Sequence, residues 1–193
     1  YDRGVKLFDR IKEWLGLRRL LKETMPDRRP VPKNLARCVK VGIVYLATDE
    51  KAHLDVRNYV KKLKEDLGLV KIQCIGYFDG KELPFHLHAK LNFDAFCQKD
   101  LNWYRIPSGN VVDNFIAEEH DVLLDLTLDD HLPLRYIVAK SRARFKVGRF
   151  SEGNKRFLDM MIDTAGARSL PQFIANIDRY MLMINARVEP SLN

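Results

Sequence analysis

The chain has 193 residues, 46% apolar and 31% charged, with a net charge of +7. That length suits one well-buried domain with an appendage. No apolar run approaches the roughly 18 residues of a transmembrane helix. Asp9, Arg10, Lys12 and Glu13 interrupt the start, where a signal peptide needs an apolar core.

The charge is unevenly placed. Residues 1–40 hold twelve Lys/Arg against five Asp/Glu, and the remaining residues hold twenty-one of each. A basic arm therefore precedes an electrically balanced body, a pattern that speaks of partners rather than chemistry. In the arm, Leu7, Phe8, Ile11, Trp14, Leu15 and Leu21 fall on one face at helical spacing. Gly16 is a candidate break or kink. The three prolines at 26, 30 and 32 then forbid a continuous helix and mark a linker. The expected organisation is residues 1–32 as basic amphipathic helix and Pro-rich linker, and 33–193 as a single α/β domain.

Within the body, Val39 to Ala47 reads as a buried strand. A helix follows from Thr48-Asp49 to about Leu67, with Val56, Val60 and Leu63 inward and Gly68 as its stop. Val70 to Tyr77 is a second strand. Phe93 to Cys97 fits a short strand, Trp103 to Gly109 a loop, and Val111 to Ala117 a helix. Val122 to Leu126 is a strand, and Leu132 to Ser141 a helix with Pro133 in its first turn. Arg144 to Val147 and Leu158 to Ile162 complete the strands, and Leu170 to about Ala186 is a closing helix. Strands alternating with helices predict a three-layer α/β domain with a mostly parallel sheet, Rossmann-like or flavodoxin-like.

Three features bear on chemistry. Asp79, Asp125, Thr127 and Asp163 stand at strand ends, where an open α/β sheet binds ligands. Carboxylates converging there suit Mg²⁺ or a ribose hydroxyl. Helix caps and turns explain the same residues singly. Lys140, Arg142, Arg144, Lys146, Arg149, Lys155 and Arg156 cluster around one acid, Glu152. Gly148-Arg149 in a Gly-bearing loop suits an anion, and a charged edge strand accounts for the same cluster. Finally, the aromatics Phe93, Phe96, Trp103 and Tyr104 are read as core rather than as base-stacking surfaces.

Other chemistries lack their patterns. Neither GxGxxG nor GxxxxGK[ST] occurs. Ser108, Ser141, Ser151 and Ser169 lack the nucleophile-elbow context. His86-x-His88 has no nearby Cys or HExxH partner, so no metal site is assigned. Cys38, Cys74 and Cys97 are odd in number and widely spaced, which reads as free thiols in a reducing cytoplasm.

Residues 41–184 resemble an uncharacterised family of small Bacteroidota proteins of unknown function. The likeness rests on Lys99-Asp100-Leu101-Asn102-Trp103, the run from Asp121 to Asp130, and Pro133-Leu134-Arg135-Tyr136-Ile137. Phe145-Lys146-Val147-Gly148-Arg149 and Met161-Ile162-Asp163 complete it. The resemblance implies no activity and no catalytic residue. More weakly, Asp121 to Arg149 is similar to the N-terminal domain of heptosyltransferase-like glycosyltransferases.

The functional expectation is a non-catalytic binding or adaptor protein. Its arm, through Lys6, Arg10, Lys12, Arg18, Arg19, Arg28 and Arg29, would meet an anionic partner. RNA or the ribosome comes first and an anionic membrane surface second, with homo-oligomerisation through the helix as a further option. The alternative is a small enzyme or sensor binding a nucleotide or phosphosugar through Asp79, Asp125, Thr127, Gly148, Arg149 and Asp163. No cofactor is identified.

Overall fold

The computed structural model describes residues 2–23, 25–88, 91–164 and 169–184, with side chains from residue 10 onward. Helix α1 spans Asp2–Lys22. Strand β1 (Lys40–Leu46) leads into α2 (Glu50–Leu67), β2 (Lys71–Phe78) and β3 (Phe93–Cys97). Then come α3 (Asn110–Ala117), β4 (Val122–Asp125), α4 (Leu132–Lys140), β5 (Lys146–Arg149), β6 (Met160–Ile162) and α5 (Leu170–Met183).

The six strands form one sheet in the order β3-β2-β1-β4-β5-β6, and every pair is parallel. This is the Rossmann-like order, and it decides between the two expected topologies. The order reverses between β1 and β4, which are joined in register by Val41 to Val122 and Ile43 to Leu124. A crevice for ligands is expected outside the carboxyl ends of the strands at that point.

Alternation along the strands builds the two cores. Val41, Ile43 and Tyr45 of β1 and Val122 and Leu124 of β4 pack with Val60 and Leu63 of α2 and Phe173 and Ile177 of α5. Val44 and Leu123 point the other way, into the layer of Phe115 of α3 and Leu134, Ile137 and Val138 of α4. Asp49 caps α2, accepting from the Ala52 amide at 2.7 Å.

The arm packs on the body. Leu20 is fully buried in the α3–α4 layer, with Leu17 against it. Gly16 lies against Tyr104 and Leu132: a Cβ there would overlap the Tyr104 carbonyl oxygen and stand 2.7 Å from Leu132 Cδ2. Glu23 pairs with Lys140 at 2.7 Å. The linker is tied down as well. Arg28 forks onto Asp159 at 2.7 and 2.9 Å, and the Val31 amide donates to the Arg144 carbonyl at 3.0 Å.

Two expectations are corrected. The docked stripe of α1 is Gly16 and Leu20 flanked by Leu17, whereas Ile11, Trp14 and Leu21 face solvent. Leu7 and Phe8 of the expected stripe lie outside the described side chains. Hydrophobic spacing misplaces the face because the contact is made by a glycine, whose value is close backbone approach rather than apolar area. Second, β5 is an interior strand, and Arg142 and Arg144 precede it rather than lie in it. The edges are β3 and β6, so edge protection does not account for the cations. Lys146 is only 2% exposed, with Nζ donating to the Ala139 carbonyl at 3.1 Å.

Candidate functional site

Two constellations emerge, one at the carboxyl ends of the strands and one beside the residues that lead into β5. The first is at the carboxyl ends. Asp125 ends β4 and is buried, and its Oδ1 accepts from the Thr127 amide at 3.1 Å and the Thr127 hydroxyl at 2.6 Å. Thr127 is therefore spent on Asp125, and α4 takes His131 as its N-cap. Burial raises the Asp125 carboxyl above its usual range, against the lowering pull of Thr127, Arg135 and Arg149. Gly148 is the neighbour across the β4–β5 pair, where a Cβ would stand 2.9 Å from Asp125 Cβ.

Above this row, Arg135 and Arg149 converge. Each places a terminal guanidinium nitrogen on the same oxygen, Asp130 Oδ1, at 2.7 and 2.6 Å. Both arginine side chains are largely buried, while Asp130 is half exposed. The loop after β5 closes against Arg135: a Cβ at Gly153 would lie 3.1 Å from its guanidinium, and Asn154 Oδ1 accepts from it at 3.4 Å. Arg149 Nε and Ser151 Oγ are buried with no hydrogen-bond partner among the described residues.

The structure thus brings Asp125, Thr127, Gly148 and Arg149 together. Asp79 stands apart at the end of β2, accepting from Tyr77, Gln98 and Arg105 at 2.8, 2.9 and 3.3 Å. Burial pushes its carboxyl up, but these hydrogen bonds and the Arg105 charge win and hold it below the usual range. Asp163 follows the edge strand β6. From β2 to β6 the row crosses four strand spacings, about 19 Å at the usual separation. One small ligand does not touch both ends.

The second constellation is a cleft of about 770 Å³ between the linker and the α3–α4 layer. Arg28, Arg29, Lys140, Arg142 and Arg144 line it, against the acids Asp27, Asp113 and Glu119. Arg28 is committed to Asp159, and Arg144 reaches Glu119 only at 3.9 Å. Arg29 and Arg142 are exposed and make no ion pair among the described residues. The end of α1 adjoins this cleft through the Glu23–Lys140 pair. On α1 itself, Arg10 and Arg18 are exposed, Arg18 lies 4.6 Å over the Trp14 ring, and Arg19 lies 5.2 Å over Tyr104. Lys12 is half-buried, and Lys6 falls outside the described side chains.

Sequence reasoning missed Arg135, Asp130, Ser151 and the joining of the linker to residues 140–144. The available signal for Arg135 was its place in the first turn of a helix that follows a strand end. The aromatic group divides: Phe96 is buried, while Trp103 is 58% exposed. Among the described residues, no group of three His, Cys, Asp or Glu side chains is placed to hold a metal ion. No described helix is long and apolar enough to cross a membrane. All three cysteines are buried free thiols, and burial raises Cys38 and Cys74 well above the ordinary range.

The chain belongs to the Family of unknown function (DUF6913), whose model matches residues 15–184. The resemblance read from its motifs, to a family without an assigned activity, is borne out. No curated protein matches the sequence. Among solved structures, a glycosyl transferase family 9 protein from Veillonella parvula DSM 2008 aligns at a TM-score of 0.42 and 11% identity over 75% of this chain. The chain spans 41% of that protein's length.

Proposed function

We propose that this is a non-catalytic cytoplasmic binding protein whose basic arm and cleft grip an anionic polymer, in the first place the phosphate backbone of structured RNA. The supporting observation is the cleft itself. Five cations from the linker and residues 140–144 line one concavity, and two of them, Arg29 and Arg142, lack carboxylate partners among the described residues. Neutralising phosphates releases condensed counterions, so such binding is strong at low salt and falls steeply as salt rises. A concavity lined by cations suits a ribbon of phosphates better than a flat bilayer.

The test is fluorescence anisotropy with a labelled RNA hairpin across a salt series. The double variant R29Q/R142Q removes two cations at exposed positions. The expected result is weaker binding and a log–log salt slope shallower by about two, near one for each phosphate no longer neutralised. Equal affinity and slope in variant and parent defeats the RNA reading. Vesicles form the second arm, because Ile11 and Trp14 are 45% and 53% exposed beside Arg10 and Arg18. A blue shift of Trp14 on anionic vesicles in a Trp103→Phe background, with no RNA binding, moves the partner to a membrane surface.

A further inference from the structure

The arginine pair over β4 and β5 has more donors than acceptors. Arg135 and Arg149 are held largely out of solvent, where a guanidinium needs matched acceptors. They share one oxygen of one carboxylate, Asp130 Oδ1. Arg149 Nε has no acceptor, and the buried hydroxyl of Ser151, two residues on, has no partner among the described residues. The two guanidiniums therefore make their ion pairs with a single half-exposed carboxylate, the buried Asp125 carboxyl beneath them being held by Thr127, and two further polar groups are left over. Buried donors are normally satisfied, so a surplus of this kind points to an absent acceptor.

The surplus also states what the acceptor is. A monocarboxylate repeats what Asp130 already offers. A dianion with three terminal oxygens answers both guanidiniums, the Nε–H and the hydroxyl together. The position agrees, at the carboxyl ends of parallel strands beside the β1–β4 switch point. The loop supports it too, since Gly153 lets the backbone pack onto the Arg135 guanidinium.

We infer that Arg135 and Arg149, with the Ser151 hydroxyl, form a binding site for a phosphate dianion, and that Asp130 is the resident carboxylate this ligand displaces. The site is separate from the basic cleft, and either reading stands without the other. Free phosphate and the phosphate of a small monoester present the same three oxygens, and the probes distinguish them.

Titration calorimetry with inorganic phosphate, glucose 6-phosphate and adenosine 5′-monophosphate, at ionic strength held constant with sodium chloride, tests the assignment. Saturable binding by the full chain is expected. R149K keeps the charge but loses the fork and Nε, and it is expected to weaken binding by about tenfold or more, the scale of one charge-assisted hydrogen bond. D130N removes the competing carboxylate and is expected to tighten binding several-fold. Glu65→Gln, a charge change of the same sign at a remote exposed position, is expected to leave it unchanged. R29Q/R142Q likewise leaves this site intact. Monoesters binding more tightly than inorganic phosphate identify a metabolite, and equal binding identifies free phosphate.

Absence of saturable binding in both the parent and D130N overturns the inference. So does binding that R149K spares and R29Q/R142Q removes, or a D130N affinity no higher than the parent's. Melting curves confirm that each variant is folded, and D130S replaces D130N if the latter is not. A folded D130S that binds no more tightly than the parent counts against the site equally.

Discussion

Replacing Gly16 by alanine distinguishes a docked arm from a free one by the sign of the stability change. In a solvent-exposed helix the substitution stabilises, by about 1 kcal/mol, because glycine is the poorer helix former. Against the body it does the reverse. The new Cβ overlaps the Tyr104 carbonyl oxygen and stands 2.7 Å from Leu132 Cδ2, where carbon atoms ordinarily rest about 3.5–4 Å apart. Leu132 can shift its methyl group, but a backbone carbonyl cannot turn away, so α1 must withdraw by about 1 Å. Overpacking of this kind costs about 1–3 kcal/mol. With a backbone obstacle the upper end applies. The net expectation is a loss of about 2 kcal/mol, or roughly 4–8 °C in melting temperature for a domain of this size. The cost is bounded by the free energy of docking, since the arm can release instead. Urea and thermal denaturation followed by circular dichroism read the effect, alongside a peptide of residues 1–24 carrying the same change. The peptide should gain helicity while the protein loses stability. A variant protein as stable as its parent, or more so, refutes the docked arm.

Two further tests concern buried titratable groups. Burial lowers Lys146 from 10.5 to about 7, Arg28 adding to the effect and Asp159 opposing it. Below pH 7 both folded and unfolded chains carry the proton and the full cost of burying the charge applies. Between 7 and 10.5 only the unfolded chain holds it, so stability rises with pH. Lys146→Met should therefore be more stable than the parent at pH 6, by up to about 5 kcal/mol, an advantage that vanishes by pH 10.5 in urea melts. An advantage independent of pH counts against a charge effect. His120 is 1% exposed, its Nε2 lies 3.0 Å from Gln73 Oε1, and burial lowers it from 6.5 to about 4. The parent should lose stability as pH falls from 6.5 to 4, by about 1.4 kcal/mol per unit. His120→Asn should flatten that slope, and an unchanged slope would place the acid sensitivity elsewhere.

Much of the fold is legible in the linear pattern. The β-branched runs at 40–46 and 71–78 and the helical spacing of Val56, Val60 and Leu63 locate β1, α2 and β2 to within a residue or two. The site was legible only in part. Asp125, Thr127, Gly148 and Arg149 were named from strand endings, and they meet because β4 and β5 are neighbours. Asp79 and Asp163 ended strands equally well in sequence but stand at either side of the group. Arg135 looked like an ordinary helix residue until α4 aimed it at Asp130.

Local sequence is enough to settle the elements, the parallel α/β class and the concentration of charge near the amino terminus. Those properties follow from spacing, stop signals and composition, which act within a few residues. Tertiary packing settles which face of α1 is buried and that Lys146 is interior. It also settles that the linker closes a basic cleft and that two arginines share one carboxylate oxygen. Each of these depends on segments far apart in the chain and adjacent in the sheet, so strand order and close backbone approach, rather than local preference, place the groups.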